Sequence, residues 1–248
     1  MILRTLTLAT LALPALAQGS PEGTGFYVGA SLGSAMFKSE AKASLSGLWS
    51  TESAALRSDV VGMWSKDLDA SGLLGGLQAG YRHQFANNVV VVGELNFGAG
   101  KAEETLATGP VPTTMAPALT YALDSRVAIK HAIALEAKFG YSFGAHVPFL
   151  TLGFVNAKAE ASNQIISNGN YRKAGQASEN VSGFQWGVGY EFRFNRNWSG
   201  NAAFTSASLG DLKYDTGFLA GSAFPGYGET FTHKLTLTSF RVAVNYQF

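Results

Sequence analysis

Ser239-Phe240-Arg241-Val242-Ala243-Val244-Asn245-Tyr246-Gln247-Phe248 alternates without a break. Phe240, Val242, Val244, Tyr246 and Phe248 share one side of an extended chain; Ser239, Arg241, Ala243, Asn245 and Gln247 share the other. Successive side chains of a strand point to opposite faces, so a period of two predicts a strand with one apolar and one polar face. The apolar face turns aromatic toward its end and stops on Phe248.

The same alternation recurs upstream. It predicts strands over residues 25–34, 72–85, 89–100, 121–143, 147–160, 181–194 and 198–208, with the terminal stretch as the eighth. In the sixth, Phe184, Trp186, Val188, Tyr190, Phe192 and Phe194 oppose Gly183, Gln185, Gly187, Gly189, Glu191 and Arg193. In the fourth, Val127, Ile129, Ile133, Leu135, Phe139, Tyr141 and Phe143 are expected on the lipid side, and Arg126, Lys130, Glu136 and Lys138 inside. Residues 86–88, 144–146 and 195–197 read as tight turns. Residues 35–71, 101–120, 161–180 and 209–233 read as long polar connections. Within the first of these, Leu45, Leu48, Trp49 and Leu56 have roughly helical spacing, and loop packing is the preferred reading. Pro110, Pro112 and Pro117 in the second cannot donate in a central ladder.

Eight strands with connections alternating long and short predict an all-β fold: an eight-stranded antiparallel up-and-down transmembrane β-barrel with short periplasmic turns and four long extracellular loops. In lipid every backbone donor and acceptor needs an internal partner, which an open sheet edge lacks. Tyr81, Phe85, Tyr141, Phe143, Phe192, Phe194 and Trp198, with Tyr246 and Phe248, cluster beside the short turns as an interfacial girdle. The alternative is a water-soluble barrel with its polarity reversed around a ligand. Glycines concentrated on the charged parity, where a narrow interior needs small residues, and the aromatic terminal edge weigh against it.

Composition agrees. Of 248 residues only 14% are charged, 29 are glycine and 12% are aromatic, and the mean hydropathy of +0.09 is far below that of a helical membrane bundle. Arg4, an apolar run over residues 5–13 and Ala15-Leu16-Ala17 predict a signal peptide, residues 1–17, ahead of one domain over 18–248. Of 18 basic side chains Arg4 leaves with that peptide, so 17 basic face 17 acidic, a balance that argues against nucleic acid as a partner. There is no cysteine, so stability comes from something other than disulfides.

These features resemble the small outer-membrane β-barrel superfamily of Gram-negative bacteria, the OmpA-like transmembrane domain and opacity-type surface proteins. Phe26-Tyr27-Val28-Gly29-Ala30, Gly93-Glu94-Leu95, Phe139-Gly140-Tyr141, the run 187–192 and the run 241–248 carry the resemblance. Ala203-Phe204 departs from it, where relatives often place an inward acid before the aromatic. The resemblance implies that Val244, Tyr246 and Phe248 form the signal read by the barrel assembly machinery. It also implies periplasmic chaperones during biogenesis, a lipid surround, a monomer, and a possible host or surface ligand for the loops. No peptidoglycan-binding domain is expected after Phe248.

By parity Arg82, Glu94, Glu136, Lys138, Glu191 and Arg241 point into the lumen. Eight strands leave an interior just wide enough for side chains to fill, so these charges are expected to plug it. The function expected is structural or surface interaction through the loops. A narrow ion or solute channel is the alternative, and a lipid-modifying enzyme a third possibility. His131 is the best catalytic candidate, on the lipid parity, but Ala132 and Ile133 follow it with no hydroxyl nucleophile. His233 is unpaired in sequence, and His83 and His146 lie near the short turns. The four histidines lack metal-ligand spacing, and no cofactor, metal or catalytic residue is expected.

Overall fold

The computed structural model describes residues 23–248; the expected signal peptide lies outside them. Eight long strands form one antiparallel sheet: β1 Gly25–Gly47, β2 Leu68–Gln84, β3 Val89–Ala107, β4 Thr120–Tyr141, β5 His146–Ser167, β6 Arg172–Arg193, β7 Trp198–Leu209 and β8 Tyr227–Gln247. Each pairs with the next, and β8 pairs back to β1 from Tyr27↔Gln247 to Gly47↔Tyr227, which closes the ring. Past a break after β7, the short strand Leu212–Asp215 resumes the ladder against β8. Among the described residues no helix is long and apolar enough to cross a membrane, a criterion that does not bear on strands.

The short-turn end is built by residues suited to reversing a chain. Asn88 and Gly144 take positive φ (65° and 69°) in two of the three turns. The other end differs from the sequence expectation. Residues expected in polar connections are largely strand: β1 runs 23 residues, to Gly47, and β5 and β6 meet at a tight reversal over 168–171. A membrane strand needs only about 9–11 residues, so the wall projects well beyond a bilayer. Residues 48–51 form a 3-10 turn and Ala54–Trp64 an α-helix, α1, where loop packing was expected. The Ser53 side chain caps α1 by accepting from the Leu56 amide at 3.2 Å.

The lower wall, toward the short turns, has an exposed belt that includes Phe26, Val28, Leu32, Met36, Leu73, Leu77, Leu95, Phe97, Leu135, Leu150, Trp186 and Val242. A continuous apolar surface of this extent requires lipid. In the upper wall the faces exchange: Lys38, Glu40 and Lys42 point out while Phe37, Ala41 and Ala43 are buried. On β4 this exchange overturns the expected parity. The pairing register shifts between Ala99 and Ala102 of β3 and between Ile129 and Ala132 of β4. An extra residue in a strand reverses which side its neighbours face. Val127 and Ile129, expected toward lipid, are therefore fully buried, whereas Arg126 and Lys130, expected inside, lie on the outer wall.

Candidate functional site

Two buried polar centres occupy the interior, one in each half. The lower one contains the six lumenal charges. Glu94 meets the Lys138 ammonium at 2.6 Å and the Arg241 guanidinium at 3.6 Å, and accepts from Tyr27 OH and from Asn96 Nδ2 at 2.5 Å. Glu136 lies 3.1 Å from Arg241 and 3.9 Å from Lys138 and accepts from Gln185 Nε2 at 2.7 Å. Arg82 and Glu191 stand apart from this group, 3.8 Å from each other. Three cations thus balance three carboxylates, and all but Glu191 and Arg241 are almost fully buried. Gly80 and Gly189 leave room for the rings of Tyr27 and Phe149: a Cβ at Gly189 would meet Phe149 Cζ at 2.3 Å. A cavity of about 70 Å³ extends upward from Glu136 and Arg241, lined by residues that include Ser31, Gly76, Asn96, Gln185 and Thr205.

The upper centre lay in segments whose strand character the sequence did not reveal. Lys173 and Glu229 form a buried ion pair at 2.9 Å. Glu229 also accepts from Trp49 Nε1 at 2.6 Å, from Thr216 Oγ1 at 2.5 Å and from Tyr171 OH, and Lys173 donates to the Tyr227 carbonyl. Burial, then the bond to Glu229, pushes the Tyr171 phenol well above its usual range. Trp49 and Trp64, carried by the turn and helix between β1 and β2, sit in this cluster, edge-on to their neighbours except that Trp64 stacks on Tyr171. Trp64 contacts Tyr121 of β4, both tryptophans contact Tyr171, and Trp49 contacts Tyr227 of β8. This connection therefore touches all the others: the Leu48 amide donates to the Gly226 carbonyl at 2.8 Å, and Asp59 of α1 accepts from the Thr114 amide and hydroxyl at 2.8 and 3.1 Å.

His233 is fully buried between these centres, and sequence reading left it without a partner. Its Nδ1 lies 2.8 Å from Ser39 Oγ and its Nε2 3.1 Å from Tyr214 OH. Tyr214 donates to Asn163 Oδ1, and Asn163 donates to Ser125 Oγ at 3.1 Å. Because the phenol proton goes to Asn163, Nε2 carries the imidazole proton and Nδ1 accepts from Ser39. Burial lowers the His233 pKa to about 4. His131 sits at the β4 bulge beside the Phe97 ring (6.4 Å), and His83 and His146 pack against Phe85 and Phe192 near the short turns. Among the described residues no group of three acidic or histidine side chains is placed to hold a metal ion.

The rings of Tyr81, Phe85, Tyr141, Phe143, Phe192, Phe194 and Trp198 are all exposed around the short-turn end. Val244, Tyr246 and Phe248 face outward beside them, and the Phe248 amide donates to the Phe26 carbonyl at 2.9 Å. At the other end a polar recess of about 520 Å³ opens among Asp124, Arg126, Gln164, Gln176 and Asp215, with Asn163 among its lining residues.

The family model for the outer membrane protein beta-barrel domain matches residues 4–248. The chain is similar to OprG of Pseudomonas aeruginosa (13% identity, 92% of this chain and 97% of that one, TM-score 0.48). It is also similar to Neisserial surface protein A (13%, 91% and 99%, 0.39) and to the Escherichia coli outer membrane protease OmpT (8%, 92% and 97%, 0.42). No curated protein matches it.

Proposed function

Because this chain belongs to the outer membrane protein beta-barrel domain family, we propose that it is a non-conducting barrel whose extracellular half serves as a recognition surface. It resides in the outer membrane with lipid around its apolar belt. What supports the non-conducting reading is side-chain filling at two levels. Balanced charges occupy the lumen beside a cavity of about 70 Å³, and Trp49 and Trp64 are buried among the upper connections. An ion crossing this path must separate buried pairs, and breaking one costs roughly 3–5 kcal/mol. The surface role rests on the projecting wall and its polar recess, which offers a concavity to a host or surface ligand.

Ser39 and His233 are assigned a structural role rather than a nucleophilic one. Both imidazole nitrogens are engaged and both side chains are fully enclosed, so a substrate carbonyl has no approach. Val244, Tyr246 and Phe248 are read as the assembly signal, delivered by periplasmic chaperones to the assembly machinery, residues 1–17 as the cleaved leader, and the working form as a monomer.

Planar-bilayer recording of the purified wild-type chain tests the closure: no stable openings of porin size are expected. Reproducible large openings overturn it and make the channel the better reading. Mobility in SDS should differ before and after boiling, as a closed ladder requires.

A further inference from the structure

On three adjacent strands the first charged residue above the lipid belt on the outer wall is a lysine. On β3 the outward series runs Leu95, Phe97, Ala99, Lys101; on β4 it passes Leu135 and Ile133 to reach Lys130; on β5 it runs Leu152, Phe154, Asn156, Lys158. The register sets them level. Lys101 lies between Ala99↔His131 and Ala102↔Ile129, and Lys130 lies between Ile129↔Ala159 and Ala132↔Ala157. The β4 bulge is what keeps Lys130 outside, since strict alternation from Ile133 would turn it inward.

The row is under-neutralised. Lys101 pairs with Glu103 at 3.1 Å and Lys130 with Glu160 at 2.6 Å, while Arg126 bonds Glu103 and lies 3.8 Å from Glu160. Lys158 donates to the Ser178 carbonyl at 2.9 Å. The three lysines therefore share Glu103 and Glu160 with Arg126, and the next outward acid, Asp124, lies beyond Arg126 at the recess.

We propose that Lys101, Lys130 and Lys158 form a docking surface for a phosphorylated headgroup of outer-leaflet lipid, whose acyl chains lie on Phe97, Ile133 and Phe154. Lysine stems lie along apolar surface and carry their ammonium groups to the headgroup level, where anionic lipid attracts each of them. Continuity between the cationic row and the apolar belt favours a lipid over a soluble polyanion. The inference rests on outer-membrane location and not on the sealed lumen.

The test uses the full chain reconstituted with phosphatidylcholine and diphosphorylated lipid A, with the lipid A retained after gel filtration measured by mass spectrometry. Lys101→Gln/Lys130→Gln/Lys158→Gln should lose retention roughly fivefold per lysine. Lys42→Gln/Lys66→Gln/Lys213→Gln, an equal charge change higher on the molecule, should retain lipid like wild type. Wild type should lose retention, read by mass spectrometry, when lipid A is dephosphorylated, and keep it in excess inorganic phosphate. Equal retention by the row variant and wild type overturns the proposal, as does equal loss in the control variant. Undiminished binding of dephosphorylated lipid A, or displacement by inorganic phosphate, also overturns it, and these two arms need only wild-type protein. Heat-modifiable mobility confirms that each variant is folded.

Discussion

The lower and upper halves of this barrel share strands and ladder, yet they are inside-out relative to each other. Around the lipid belt, Phe240, Val242 and Val244 of β8 face out and Arg241, Ala243 and Asn245 face in. Further up the same strand, Thr236 and Lys234 face out and Leu235, Leu237 and Phe231 are buried. The closed sheet does not decide which face is apolar; the solvent outside it does. In lipid, satisfied polar side chains can gather only inside. In water the apolar ones must, and the upper half is packed as a soluble barrel would be.

Several measurements would break or sharpen that contrast. The largest effect should come from the buried pairs. Lys173→Met leaves Glu229 without its cation and should destabilise the upper half by about 3–5 kcal/mol. Lys138→Met should cost less, because Arg241 still lies 3.6 Å from Glu94 and 3.1 Å from Glu136. Urea unfolding followed through the fluorescence of Trp49 and Trp64 compares the two, and a larger loss for Lys138→Met would contradict the assignment of redundancy. Next comes one substitution placed on one face in two solvents. Val242→Arg should cost roughly 2–4 kcal/mol in bilayers, whereas Thr236→Arg, six residues along the same outward face, should stay within about 0.5 kcal/mol. Equal penalties would move the membrane boundary or abolish it.

Mild acid should act on the upper half through His233. His233 titrates at about 4 when folded and near its usual value when unfolded, so the folded state resists taking up a proton. Its contribution is complete above about pH 6.5 and is lost as pH falls toward 4, by at most about 1.4 kcal/mol per unit. Midpoints of upper-half unfolding across this window should follow that slope in wild type and flatten in His233→Gln. The smallest effect is expected at Asp59→Ala, which removes two exposed hydrogen bonds to Thr114. It should cost no more than about 1 kcal/mol, visible as faster proteolysis of α1 with unchanged global unfolding.

The contrast also explains what sequence could convey. Eight strands, the short turns and the lipid parity of the lower wall were legible because aromatic and aliphatic residues alternate there with glycine and charge. The upper wall keeps the same period, as Phe37-Lys38-Ser39-Glu40-Ala41-Lys42-Ala43 shows, but with the faces exchanged and small residues inside. On β1 the outward apolar series stops at Met36, and the sequence expectation, which ended the strand at residue 34, left the remainder looking like loop. The β4 bulge was hidden because Lys130-His131 carries no glycine or other compositional mark. Lys173 and Glu229, as well as Ser39 and His233, meet only across strands, so nothing local in the chain announces either contact.

The seam between β1 and β8 carries a consequence for the order of events. It joins Tyr27 to Gln247, among the most distant positions along the described chain, whereas the other seams join strands adjacent in sequence. Hairpins can zip as each successive strand arrives, but the final seam must wait for the last residues and bears the greatest loop-closure entropy. Until then the sheet has two raw edges, each able to template pairing with another chain. Closure is therefore expected to be the slow, committing step of maturation, and the interval before it the period of greatest exposure to misassembly.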